Sequence, residues 1–386
     1  MNPESWYLRI VKGLRFLGKR KPGRHLAHAR VRLMRACCIA TAGSRVGRIP
    51  ENNLIRSIPE IMHRPAVSRH VTEIREIWSA HAERYAFPAH YPPEFRRDNA
   101  YDARHSYALT DVVVGPASGV FWFPEGPVLQ ESVGSLIRML SWSYCRQEML
   151  RKPVPLATSG PLVPLPATGY FHWLLETLPT ALRAFDASPD ATLLVHPDSP
   201  RYVWDGVRLF FSALQQCDIA VSERPVAVGA AQLVAIDEYC GFVAAADVVL
   251  LRERAGAHLQ QSGSEGGKLL FVSRRLARAR AEVAPPSLDE ALRDLGYEVV
   301  VAETLDLADQ IKLFSSAGGI VGLHGAGLAN MIWAPPGCRI VELFPPGVFN
   351  DCYGRLALTC GHSYRYEVLE PTGLESSQLR RLSQDP

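Results

Sequence analysis

Beyond Gly267 short apolar runs and amphipathic stretches alternate, and that order leaves few folds open. Residues 269–272, 299–301, 319–322 and 339–343 predict strands. Residues 288–295 (closed by Gly296), 307–317 and 328–334 predict helices between them. A strand that is apolar throughout needs cover on both faces, which a parallel sheet with crossover helices supplies. The spacing therefore predicts a Rossmann-like α/β unit over residues 263–386.

The chain before it is less regular. With 386 residues it can hold two cores of ordinary size. Residues 101–262 predict a mixed α/β lobe, with strands at 111–114, 119–123 and 192–195 and helices opening near Tyr170 and Arg201. The small, flexible run 262–267 predicts the linker between the two units. Residues 1–100 form a basic, irregular lead-in. Arg and Lys recur through its first fifty residues, with Glu4 the sole acid before Glu51, and Trp6, Ile10, Leu14 and Leu17 fall at helical spacing. Such a basic amphipathic segment (residues 1–45) suits an anionic membrane surface, or else forms a solvated arm or a helix packed on the rest. The formal charge of +3 is too small for a general polyanion binder, so nucleic acid is not an expected partner. The 8 cysteines show no Cys-x-x-Cys spacing, no apolar run reaches the length of a membrane span, and no signal-type segment opens the chain. The expectation is a cytoplasmic protein, peripheral on the inner membrane face if the basic segment binds it.

The residues with most chemical content are Gly322-Leu323-His324-Gly325-Ala326-Gly327-Leu328-Ala329-Asn330, where a buried strand gives way to a helix. Ligands of open α/β sheets bind at the carboxyl ends of strands, and a helix N-terminus offers amides to a phosphate. Gly325 and Gly327 are expected to allow close backbone approach and unusual backbone angles; the alternative is a tight turn that serves packing alone. The run lacks the full Gly-x-Gly-x-x-Gly spacing, which argues against a redox dinucleotide. Ser273-Arg274-Arg275 follows the first strand of the same unit at the same edge, where guanidinium groups can grip phosphate oxygens or else face solvent. Glu342 ends the fourth strand at that edge, where its carboxylate can accept from a ribose diol or simply be solvated. The donor-binding set is thus Arg274, Arg275, Gly325, Ala326, Gly327, Leu328, Asn330 and Glu342. His172 and Glu176 lie four apart on the helix from Tyr170, so they share a face and can act as one acid–base unit, unless His172 is structural. No Asp-x-Asp metal motif occurs, and no metal or other cofactor is expected.

Three blocks together resemble glycosyltransferase family 61, a family of polysaccharide and capsule synthesis and of protein O-glycosylation. They are Phe171-His172-Trp173-Leu174-Leu175-Glu176-Thr177-Leu178-Pro179, Ser273-Arg274-Arg275, and residues 305–343 with Val321-Gly322-Leu323-His324-Gly325-Ala326-Gly327-Leu328 at their centre. The resemblance implies a GT-B architecture, in which two Rossmann-like lobes face across a cleft. It implies inversion at the anomeric carbon, a nucleoside-diphosphate sugar as co-substrate (UDP-sugar favoured), and a glycan or lipid-linked oligosaccharide acceptor. Carried onto this chain, it makes Arg274, His324, Gly325, Ala326, Gly327 and Glu342 donor-site residues, and His172 and Glu176 residues of the acceptor side. Glu176 stands before His172 as the expected base, and His324 as the group that offsets charge on the leaving diphosphate. Glu176 and Thr180 stand where the family often carries aspartate and arginine. Two other readings remain: a pyruvyl or other group transferase on a similar fold, and a catalytically silent scaffold in polysaccharide assembly.

Overall fold

The computed structural model describes residues 54–55, 68–96, 98–125, 128–129, 132, 148–167, 169–211, 217–236, 243–256, 267–276, 287–346, 349–369, 378 and 381–382. The basic segment 1–45 and all of the predicted linker but Gly267 lie outside these residues. The described chain is mixed α/β, with parallel strands in both of its large sheets.

The first sheet has ten described strands. Its antiparallel half centres on β2 (Arg104–Val114), paired with β1 (Val71–Trp78) on one side and β6 (Val226–Val234) on the other. Its parallel half runs from β6 through β3 (Leu162–Pro164) and β4 (Thr192–Val195) to the edge strand β5 (Asp218–Val221). Every residue of β4 is buried, as a parallel strand covered on both faces requires. A helical stretch joins β3 to β4 in three pieces: α1 (Tyr170–His172), a π-helical turn (Trp173–Thr177) and α2 (Leu178–Ala187). The helix expected from Arg201 is α3 (Arg201–Gly206), which passes into a second π-helical turn at Val207–Phe211. The Trp173 ring lies on Gly206, where a Cβ would come within 2.6 Å of it.

The second sheet is parallel throughout and contains β7 (Lys268–Val272), β8 (Glu298–Val300), β9 (Ala317–Leu323), β10 (Arg339–Phe344) and β11 (Ser363–Val368). Their order is β8-β7-β9-β10-β11, the 2-1-3-4-5 arrangement of a doubly wound sheet. The four strands predicted here are present. The fifth, with the helix α7 (Cys352–Thr359) before it, was not read, because Ser363-Tyr364-Arg365-Tyr366-Glu367-Val368 is a polar edge strand with none of the apolar signal of its neighbours.

The helix expected at 328–334 is instead a 3-10 helix, Ala326–Trp333. Leu328 through Trp333 are all buried, so packing rather than an amphipathic face sets its pitch. The Asn330 side chain also donates back to the Gly327 carbonyl at 3.2 Å, a local competitor of the regular α-helical bond.

One continuous apolar core includes Leu174, Leu182 and Leu193 from the first sheet and its helices, and Ile320, Met331 and Ile340 from the second. Residues 85–96 and Asn99 add to the join. Tyr91 is fully buried, and the Arg355 guanidinium, 1% exposed, donates to Asn99 Oδ1 at 2.5 Å and to the Phe95 carbonyl at 2.7 Å. Among the described residues no helix is long and apolar enough to cross a membrane.

His362 makes this core acid-sensitive. Its Nε2 donates to the Met331 carbonyl at 2.9 Å, and burial holds its pKa down at about 4. The unfolded chain protonates this ring near pH 6.5, whereas the folded chain resists until about pH 4, so stability falls as the pH drops through that window. The expected loss from this group is about 2 kcal/mol by pH 5. His362→Gln keeps a donor for Met331 and should remove that increment. A wild-type melting temperature that falls no faster than the variant's between pH 7 and pH 5 contradicts this account.

Candidate active site

In a doubly wound sheet the ligand crevice opens at the carboxyl ends of the strands where the order reverses, here between β7 and β9. Arg274 follows β7 and His324 follows β9. The two meet, with Arg274 Nη1 donating to the His324 carbonyl at 2.9 Å. The guanidinium lies directly on Gly325, where a Cβ would overlap it. A Cβ at Gly327 would stand 2.8 Å from Val272 Cγ1, and one at Gly322 would stand 2.6 Å from Leu328 Cδ2. Gly325 is extended, and neither Gly325 nor Gly327 lies in the left-handed region. The expectation of unusual backbone angles is therefore corrected: the glycines are needed for close approach. The first bond of the 3-10 helix runs from the Leu328 amide to the Gly325 carbonyl at 3.0 Å. The amides of Ala326 and Gly327 precede it and have no intrahelical acceptor.

His324 is held from behind. Its Nδ1 lies 2.5 Å from Glu342 Oε1, and the Tyr364 hydroxyl donates to Glu342 Oε2 at 2.7 Å. Glu342 is fully buried, and burial raises its pKa while the contact with His324 opposes the rise. The imidazole stacks on Phe344, with ring centres 5.2 Å apart, and meets Tyr353 at 5.3 Å. With Nδ1 engaged, Nε2 is the nitrogen left for chemistry. Glu342 was expected at the surface for a ribose. It lies instead behind His324, with both oxygens engaged, and Tyr364 is a partner that sequence reading missed.

A second imidazole–carboxylate pair stands on the helical stretch whose Phe171 meets Tyr353. His172 Nδ1 and Glu176 Oε1 are 3.0 Å apart, as their spacing predicts. The His172 side chain is 33% exposed and that of Glu176 11%, so the histidine is the outward member. Phe171 meets the Tyr353 ring edge-on at 5.3 Å, which brings the helix start against the corner that carries His324.

The other predicted residues divide. Arg275 faces outward, its side chain 60% exposed and 3.9 Å from Asp289. Leu328 and Asn330 are wholly buried. Asn330 accepts from the Tyr170 hydroxyl at 2.6 Å and from Trp333 Nε1 at 3.2 Å, and donates to Gln310 Oε1 at 2.8 Å. Both residues support the corner from inside. A cleft of about 550 Å³ opens beside it, lined by Tyr170, Arg201, Tyr202, Glu303, Ala326 and Gly327 among others. That volume lies within the range of small-molecule sites. Tyr202 and Glu303 had no sequence signal beyond lying just after a predicted strand or at a helix start. Among the described residues no group of three or more His, Cys, Asp or Glu side chains is placed to hold a metal ion.

The family model described as Glycosyltransferase 61 matches residues 170–341, just under half of the chain. The match opens at the helix start that carries His172 and ends one residue before Glu342. The chain is also 32% identical over 83 residues to alpha-1,3-arabinosyltransferase XAT2 of Oryza sativa subsp. japonica. That alignment covers 21% of this chain and 14% of the relative's length. Over these stretches the chain is similar to glycosyltransferases of family 61.

Proposed function

We propose that this protein transfers a sugar from a nucleoside-diphosphate donor to a glycan hydroxyl, with inversion and without a divalent cation, across a cleft between its two α/β units. The observation that carries this reading is the meeting of Arg274, His324 and the Ala326–Gly327 amides at the strand-order reversal, beside a cleft of about 550 Å³. The donor's diphosphate sits on those amides and the Arg274 guanidinium, and a UDP-sugar is the first donor to try. As the sugar–oxygen bond breaks, negative charge grows on the leaving phosphate, where fixed donors are worth most because they need no rearrangement. His324, backed by the Glu342 carboxylate, answers that charge through Nε2. His172, oriented by Glu176, takes the proton of the acceptor hydroxyl as its oxygen attacks the anomeric carbon. The order of the sequence reading is thus reversed, with the imidazole as the base and the carboxylate as its support. The short stretch of similarity to an arabinosyltransferase is compatible with a pentose donor and does not select one.

Calorimetric titration of the full chain with UDP, GDP and phosphoenolpyruvate tests this reading. A nucleoside diphosphate should bind and phosphoenolpyruvate should not. Arg274→Ala should weaken nucleotide binding about ten- to hundredfold, the worth of a charge-assisted phosphate contact. Unchanged affinity removes Arg274 from the site, and binding of phosphoenolpyruvate alone overturns the reading.

A further inference from the structure

We infer that Glu303 is the carboxylate that holds the ribose diol of the donor, with Tyr202 as the wall facing the nucleoside. The inference rests on the nucleotide reading above and adds to it the residues that select a ribonucleotide. A ribose diol is commonly held by a carboxylate that accepts both hydroxyls, and Glu342 is not free for that task, because His324 and Tyr364 occupy its two oxygens and it is fully buried.

Glu303 is placed differently. It lies in the short 3-10 helix Ala302–Thr304, just beyond the carboxyl end of β8, and its side chain is exposed on the cleft. Three loops at the carboxyl edge of the second sheet contribute to the same cleft: Leu276 after β7, Ala302 and Glu303 after β8, and Ala326 and Gly327 after β9. The phosphate-binding corner is at β7 and β9, so the next strand outward, β8, marks where the nucleoside end of the donor extends. A carboxylate there repels phosphate, which leaves hydroxyl or N–H donors as its partners. Tyr202 stands opposite on α3, its ring 5.4 Å from that of Tyr170 and 5.1 Å from that of Trp173. These contacts fix the ring as a rigid wall. The α3 wall is itself pinned to the second unit, since Asp205 accepts from the Leu307 amide at 3.3 Å at the start of α6 (Leu307–Phe314).

The test compares UDP, 2′-deoxy-UDP and inorganic pyrophosphate as ligands of the full chain, wild type and Glu303→Ala, by calorimetry. Wild type should prefer UDP to 2′-deoxy-UDP by about tenfold, the worth of one hydrogen bond to a charged group. In Glu303→Ala that preference should vanish, with UDP weakened about tenfold or more, while pyrophosphate affinity stays at the wild-type value. Tyr202→Ala should weaken both nucleotides and leave pyrophosphate unchanged. A 2′-hydroxyl preference that survives Glu303→Ala overturns the assignment and leaves the nucleotide reading standing. If wild type binds no nucleoside diphosphate at all, the broader reading fails and takes this one with it.

Discussion

His324→Ala is expected to lower kcat by about 10²–10³-fold while changing KM for the nucleotide sugar by less than about threefold. The asymmetry follows from where charge appears. On the proposed reading the ground-state diphosphate already has the Arg274 guanidinium and the corner amides, and the imidazole adds little. As the glycosidic bond lengthens, the leaving oxygen gains charge, and the group held by Glu342 at 2.5 Å becomes the one whose interaction grows. Glu342→Gln separates this from a packing effect. It keeps the volume and an acceptor for His324 while removing the buried negative charge, so it should cost about tenfold in kcat with donor binding unchanged. Steady-state kinetics on both variants, with melting curves to confirm folding, decide the matter. A His324→Ala enzyme with normal kcat, or one whose whole deficit lies in KM, would falsify the assignment of His324 to the leaving group.

Sequence pattern reached the second sheet because β7, β9 and β10 carry apolar runs that are buried along most of their length, a pattern that is hard to mistake. It also reached the corner after β9 and the His172–Glu176 pair, since both depend on spacing along one element. What it missed depends on elements brought together from afar. Glu342 looked like a strand-end carboxylate, and only the arrival of Tyr364 from an unread edge strand makes it a buried support. Asn330 looked like a ligand contact because it follows a glycine turn, but Tyr170 reaches it across 160 residues of chain and turns it inward. Glu303 has no pattern at all, and its position after β8 acquires meaning once the strand order is known. In each case local chemistry was legible and its orientation was set by tertiary packing.

The largest expected loss of stability lies behind the helix that carries His172 and Glu176, at Asp247. This residue stands in the first turn of α4 (Ala245–Ala255) and accepts from Arg104 Nη1 and Arg183 Nε, each at 2.8 Å. Arg104 also donates to the Ala235 carbonyl at 2.7 Å. The Trp78 ring carries both guanidiniums, at 4.8 and 5.0 Å from its centre. The Arg104 and Asp247 side chains are 4% and 5% exposed, so neither charge has water to fall back on. Asp247→Ala strands the Arg104 cation in the interior and should cost about 3–5 kcal/mol, the usual penalty for breaking a buried pair from one side. Asp247→Asn keeps an acceptor oxygen for one of the two arginines while turning an amide N–H toward the other, and it should cost less than Asp247→Ala. The effect should reach the chemistry as well, because Arg104 Nη2 lies 3.5 Å from Thr180 Oγ1, whose hydroxyl donates to the Glu176 carbonyl at 2.6 Å. The helix that orients His172 is thus propped by the same network, and activity of the Ala variant should fall at temperatures below its melting point. Chemical unfolding of the wild type and both variants, with activity followed over the same range, reads both effects. Equal stability of wild type and Asp247→Ala would mean that Arg104 finds another anion or water, and that the network does not prop the helix.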